Sequence, residues 1–206
     1  MRSLVFHEAR SLIICIIIVS LIIILYTRDI YKGFWCLSLI IFIYFLYRIP
    51  ERKSNSSNKE IVSPVDGTIL EIKETEKSYE FIFFIHELDP QIQWMPYPGI
   101  VTNIEYDGSN ISTNWGKYDM YKVANNRRIT TTIQTDHGNI ILEQIKSLAS
   151  IHHDIFPEIS DKNDKSKHLG YIMFPARIDL IIPKPCRIQS HINEYVKGGE
   201  TIIAAF

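Results

Sequence analysis

Two hydrophobic patterns divide the chain. Residues 11–26 and 34–47 are apolar or small and carry no charge, the pattern of helices that are greasy all round. Beyond residue 60 the apolar residues fall instead into short β-branched and aromatic runs separated by turn residues, at 68–72, 79–85, 100–106, 128–134, 139–145, 171–182 and 187–192. Such runs predict strands. Helix signals in this part are weak. The run at 171–182 alternates apolar residues around Arg177 and Asp179 and is interrupted by Pro175, which points to a sheet edge or a bulge.

The two apolar runs would make about 24 and 21 Å of helix, against the roughly 30 Å of a bilayer core. They predict a two-helix transmembrane hairpin over residues 1–52, with helices at 11–26 and 34–47 and a turn at 27–33 marked by Asp29 and Gly33. No small-residue cleavage site follows the first run and a second run comes soon after it, which argues against a signal peptide. Arg2, Arg10, Arg48, Arg52 and Lys53 flank the pair, against Arg28 and Lys32 in the turn. By the positive-inside bias both ends, and the following domain, would face the cytoplasm.

Residues 53–59 are polar and without periodicity, a linker, and residues 60–206 form the expected β domain. The segments Pro64-Val65-Asp66-Gly67-Thr68-Ile69 and Pro96-Tyr97-Pro98-Gly99-Ile100-Val101 share a P-x-x-G-x-aliphatic pattern, as if one hairpin unit were used twice. Near the C-terminus Gly198-Gly199 leads into a last strand, an element of small barrel-sandwich domains.

Charge and cysteine content remove several classes. The net charge is −1 and no Lys/Arg run is interleaved with aromatics, so no nucleic-acid partner is expected. Cys15, Cys36 and Cys186 offer neither a disulfide framework nor a metal spacing. His152, His153 and Asp154 with His168, or His86 with Glu87 and Asp89, are the groups a metal would need, but adjacent side chains on an extended chain point apart. No metal is expected. His137-Gly138 reads as a hairpin turn and residues 161–167 as a solvated loop of mixed charge.

The order of motifs then resembles one family. Phe6-His7-Glu8-Ala9-Arg10 precedes the apolar pair, followed by Arg48-x-Pro50-x-Arg52, Ser63-Pro64-Val65-Asp66-Gly67, Leu88-Asp89, Pro96-x-x-Gly99, Asn126-x-Arg128 and His137-Gly138. Phe174-x-x-Arg177-Ile178-Asp179-Leu180 and Gly199-Glu200-Thr201-Ile202-Ile203-Ala204 close the series. Together they resemble the short, membrane-associated phosphatidylserine decarboxylases. The resemblance implies that family's mainly β fold and a proenzyme that cuts itself at a Gly-Ser bond. There the serine becomes a pyruvoyl group, the electron sink for loss of carbon dioxide.

Two departures follow. The cleavage pair is here Pro175-Ala176, and alanine has no hydroxyl from which to attack or to form pyruvoyl. The family's D-V-H-x-x-R-x-P pattern here reads Asp89-Pro90-Gln91-Ile92-Gln93-Trp94-Met95-Pro96. Gln91 therefore replaces a titratable histidine and Trp94 a basic residue. Asp66, matching an aspartate used in activation, is retained, though Asp before Gly also suits a turn. Ser190 and Cys186 do not follow glycine and so do not restore a cleavage site.

The expectation is a pseudoenzyme without catalytic residues or pyruvoyl, with a remnant site at Asp66, Asp89, Gln91, Trp94, Pro175 and Ala176. Arg177 and Asp179 are candidate substrate-binding residues. Partners would be membrane phospholipid and another copy or homologue, and the alternatives are an active decarboxylase or a structural membrane protein holding a protein partner.

Overall fold

The computed structural model describes residues 7–27, 30–52, 57, 59–108, 126–147, 153–172 and 174–206. The chain divides into two compact units, residues 1–51 and 52–206.

The first unit contains helices α1 (His7–Thr27) and α2 (Ile30–Leu46). Hydroxyls are satisfied within the helices: Thr27 donates to the Ile23 carbonyl at 2.8 Å and Ser38 to that of Trp35 at 2.9 Å. The expected transmembrane hairpin is corrected here. No helix among the described residues is long and apolar enough to cross a membrane. α1 opens on Glu8 and Arg10 and α2 carries Lys32 in its first turn, so charge trims each apolar stretch below the roughly 20 residues a span requires. The predicted turn is also shorter, since helix resumes at Ile30; residues 28 and 29 lie outside the described residues.

The second unit is mainly β. In chain order its strands are β1 (Glu60–Val62), β2 (Gly67–Glu74), β3 (Ser78–Phe84), β4 (Ile92–Trp94), β5 (Gly99–Asp107), β6 (Arg128–Thr135) and β7 (Gly138–Lys146). There follow β8 (His153–Ile155), β9 (Lys162–Asn163), β10 (His168–Ile172), β11 (Pro175–Pro183), β12 (Arg187–Ile188), β13 (Tyr195–Val196) and β14 (Ile202–Ala205). An eight-stranded sheet has the order β13-β2-β3-β11-β7-β6-β5-β9, and two three-stranded sheets the orders β1-β14-β12 and β4-β10-β8. The pairings are antiparallel, so hairpins make many of the connections.

β11 is central to the large sheet. Ile178, Leu180 and Ile182 are fully buried and pack with Phe81, Phe83 and Leu142 in the main core. The alternate positions, Arg177 and Asp179, are buried as well, as a strand with neighbours on both sides permits. β2 begins at Gly67, whose φ is +154° and where a Cβ would lie 2.3 Å from the Phe84 carbonyl oxygen, so only glycine fits.

The predicted single strand at 171–182 is in fact two. β10 pairs with β4 and β8, whereas β11 pairs with β3 and β7, so the chain changes sheet between Ile172 and Pro175. Phe174, with φ +51°, makes the corner. Alternation alone does not reveal such a break, because both halves are apolar.

Candidate functional site

The corner between β10 and β11 is the place to build from. Phe174 donates its N–H to Gln91 Oε1 at 3.1 Å, and its carbonyl accepts the Ser147 hydroxyl at 2.7 Å. Pro175 pairs with Lys146 and Arg177 with Ile145, so the register shifts at Ala176, a bulge. The bulge that the proline in this run predicts is thus found directly beside it, between Pro175 and Arg177. Lys146, opposite Pro175, is held below the ordinary lysine range by burial and then by repulsion from Arg127.

Gln91 is buried in the loop leading into β4. Its Nε2 donates to the carbonyls of Asp89 at 2.7 Å and His86 at 3.3 Å, and its own carbonyl accepts the Ile172 N–H at 3.2 Å. Asp89 is held from two sides, Oδ2 by the His86 N–H at 3.1 Å and Oδ1 by the Tyr195 hydroxyl at 2.8 Å. Burial, and next the bond to Asp89, push the Tyr195 hydroxyl far above its usual range, so it stays a donor. His86 Nε2 is 3.0 Å from Thr68 Oγ1.

Asp66 belongs to a second group. Its carboxylate accepts Arg52 Nη2 at 2.7 Å and the Gly198 N–H at 2.7 Å, while Arg52 Nη1 reaches Glu200 at 3.0 Å. Trp94 is fully buried against this group. Its ring lies under the Arg52 guanidinium, 5.7 Å from centroid to Cζ, and edge-on to His168 at 6.4 Å. A Cβ on Gly198 would come within 2.3 Å of the Trp94 ring, so glycine is what lets the turn close over the indole. Among the described residues the indole Nε1–H has no hydrogen-bond partner.

Arg177 and Asp179 face away from the core that Ile178 and Leu180 enter. Arg177 Nε donates to both Asp179 oxygens, at 2.7 and 2.9 Å, and Nη2 bonds Asp179 as well. Glu80 stands 3.7 Å from Arg177, and Arg128 pairs with Glu143 at 3.0 Å on neighbouring strands. Burial pushes the Asp179 carboxyl up, with Arg177 opposing it. These two residues therefore sit within a charge lattice on the sheet.

The structure thus joins Asp89, Gln91 and Phe174 in one group and Asp66, Trp94 and Gly198 in another, with Arg177 and Asp179 on a different face. Ser147, Tyr195 and Arg52 escaped the sequence reading as site residues. Arg52 had a signal in Arg48-x-Pro50-x-Arg52, but Ser147 reaches Phe174 across 27 residues and leaves no local trace. Among the described residues no cluster of three His, Cys, Asp or Glu could hold a metal ion. His152 lies outside the described residues, and His153 and Asp154 begin β8.

Comparison with known proteins gives a coherent answer. A phosphatidylserine decarboxylase proenzyme of Syntrophus aciditrophicus is 25% identical over 213 aligned residues, covering 99% of this chain and 98% of that protein. Proenzymes with the same description from Amoebophilus asiaticus and Cytophaga hutchinsonii are 24% and 26% identical, covering 80% and 82% of this chain and 75% and 80% of their own lengths. No solved structure gives a significant match. The family model described as phosphatidylserine decarboxylase matches residues 39–204, a span that takes in both side-chain groups and the β10–β11 corner, and the chain belongs to that family.

Proposed function

We propose that this chain is a phosphatidylserine decarboxylase pseudoenzyme, a scaffold of a carboxy-lyase family that binds aminophospholipid or regulates a partner without decarboxylating. The observation that carries this reading is Ala176, at the position where the resemblance implies the family's serine. The residues present do not fit a pyruvoyl group: alanine supplies no oxygen to attack the preceding carbonyl and none to lose as water. Gln91 stands where the resemblance implies a histidine and is committed to backbone groups, so it offers no proton transfer near neutral pH. Asp66 is engaged by Arg52 and the Gly198 N–H.

Lipid binding draws support from two features. Lys146, with Arg127 near it, sits beside the β10–β11 corner and would meet the phosphate of a headgroup. The helices of the first unit expose apolar side chains, Leu25, Trp35 and Phe42 among them, which favour a bilayer surface over water. The charge bias that suggested a cytoplasmic side presupposes spanning helices, so no side is assigned.

The relatives' description as proenzymes favours a second reading, an active decarboxylase. Intact-mass measurement separates the two. The pseudoenzyme gives one species at 24.0 kDa and no ethanolamine lipid from serine lipid; two chains, the smaller with a blocked N-terminus, would establish the active enzyme.

A further inference from the structure

The bonds that converge on Gln91 use both donors of its side chain and one of the two lone pairs of its oxygen. Both Nε2 hydrogens are given to carbonyls, of Asp89 at 2.7 Å and His86 at 3.3 Å, and Oε1 receives the Phe174 N–H at 3.1 Å. The reverse amide orientation would set an NH2 against an N–H and an oxygen against two carbonyls, so the surroundings allow only this one. A histidine ring has two nitrogens and cannot make three such bonds. The main chain adds a fourth link, Ile172 N–H to the Gln91 carbonyl at 3.2 Å.

The anchor is itself fixed. Gln93 Nε2 donates to the Gln91 carbonyl at 3.2 Å, and Gln144 Nε2 on β7 donates to Gln93 Oε1 at 2.8 Å, all three glutamines being buried. On its other side the corner is held by the Ser147 hydroxyl on the Phe174 carbonyl. Both polar groups of Phe174, a non-glycine residue at positive φ, are thereby tied, one to Gln91 just before β4 and one to Ser147 just after β7. Such a conformation costs energy and persists where its surroundings determine it.

We propose that Gln91 is a latch that holds Phe174 in its positive-φ conformation in the uncut chain, a positioning role in place of the proton transfer a histidine would perform. It rests on the uncleaved chain of the proposed function, and the two fail separately: cleavage appears as two masses, an absent latch as a fast Phe174 amide within a single mass.

Amide hydrogen exchange on the full-length protein, resolved to Phe174, tests it. In the unsubstituted protein the Phe174 amide exchanges as slowly as its strand neighbours. Gln91→Ala and Gln91→Met, the latter keeping much of the size but neither the acceptor nor the donors, each speed it roughly ten- to a hundredfold. Amides of β3 and the middle of β11 stay unchanged. Ser147→Ala, which leaves Gln91 in place, keeps most of the Phe174 protection. A Phe174 amide as fast as an exposed loop in the unsubstituted protein overturns the latch. So does unchanged protection in either Gln91 variant, or acceleration of all amides alike. If Gln91→Ala does not fold, Gln91→Met carries the same decision.

Discussion

At the scale of single residues, chemistry and position act together at the β10–β11 corner. Putting back glycine and serine in Pro175→Gly with Ala176→Ser restores a nucleophile, but the nearest group that could take its proton by family likeness is an amide. Gel electrophoresis of this double variant is expected to show one uncut band, and cleavage would show that the loss is confined to residues 175 and 176. Adding Gln91→His then tests whether titratability is the missing part. Cys186 gives a second residue-scale prediction. Burial raises its thiol pKa, with Lys184 opposing, so at a given pH a smaller share is thiolate than in a free thiol. Alkylation by iodoacetamide, followed on the Cys186 peptide, is therefore slower than that of glutathione at pH 8 and gains on it as pH rises. Equal rates at pH 8 would contradict the burial argument. The same effect argues against Cys186 as a substitute nucleophile.

At the scale of elements, what matters is how turns and strand ends are pinned. The Gly198–Gly199 turn closes over Trp94, and Asp66 receives the Gly198 N–H while also pairing with Arg52. Gly198→Ala would place a methyl 2.3 Å from the indole and 2.9 Å from the Val65 carbonyl carbon. Urea denaturation is expected to show a loss of about 1–3 kcal/mol. Because the indole is the nearer obstacle, Trp94→Leu combined with Gly198→Ala should cost less than the sum of the single changes. Strict additivity would mean that the turn and the ring are not in the contact described. The position also explains how a bulky apolar residue is accommodated where the family pattern has a basic one: the glycines make room for it, and the Arg52 charge lies over its face.

At the scale of the whole molecule, one chain carries a β unit with family ancestry and an apolar helical unit. Full-length protein is expected to float with lipid vesicles, through apolar contact that added salt does not abolish. A preference for phosphatidylserine over phosphatidylcholine vesicles would come instead from the headgroup, and Lys146→Ala should reduce it several-fold. Equal flotation with both lipids removes the headgroup reading and leaves the surface contact; no flotation removes both.

Much of this was legible in the sequence because it depends on local pattern. Runs of β-branched residues announced β2, β3, β5, β6 and β7, and the ordered motifs pointed to the family. The missing hydroxyl at Ala176 is a fact of covalent chemistry that no fold can alter. Other features depended on partners far along the chain. The corner at Phe174 is invisible to alternation, since Ile172 and Ile178 are both buried but in strands of different sheets. The membrane hairpin failed on the length of its apolar helix: α2 has 17 residues and the charge-free part of α1 begins only after Arg10, short of the roughly 20 that a span needs. The bonds of Gln91 to residues 86, 89 and 174 could not be read either: residue type states how many hydrogen bonds a glutamine can make, and only the folded chain decides which groups it meets.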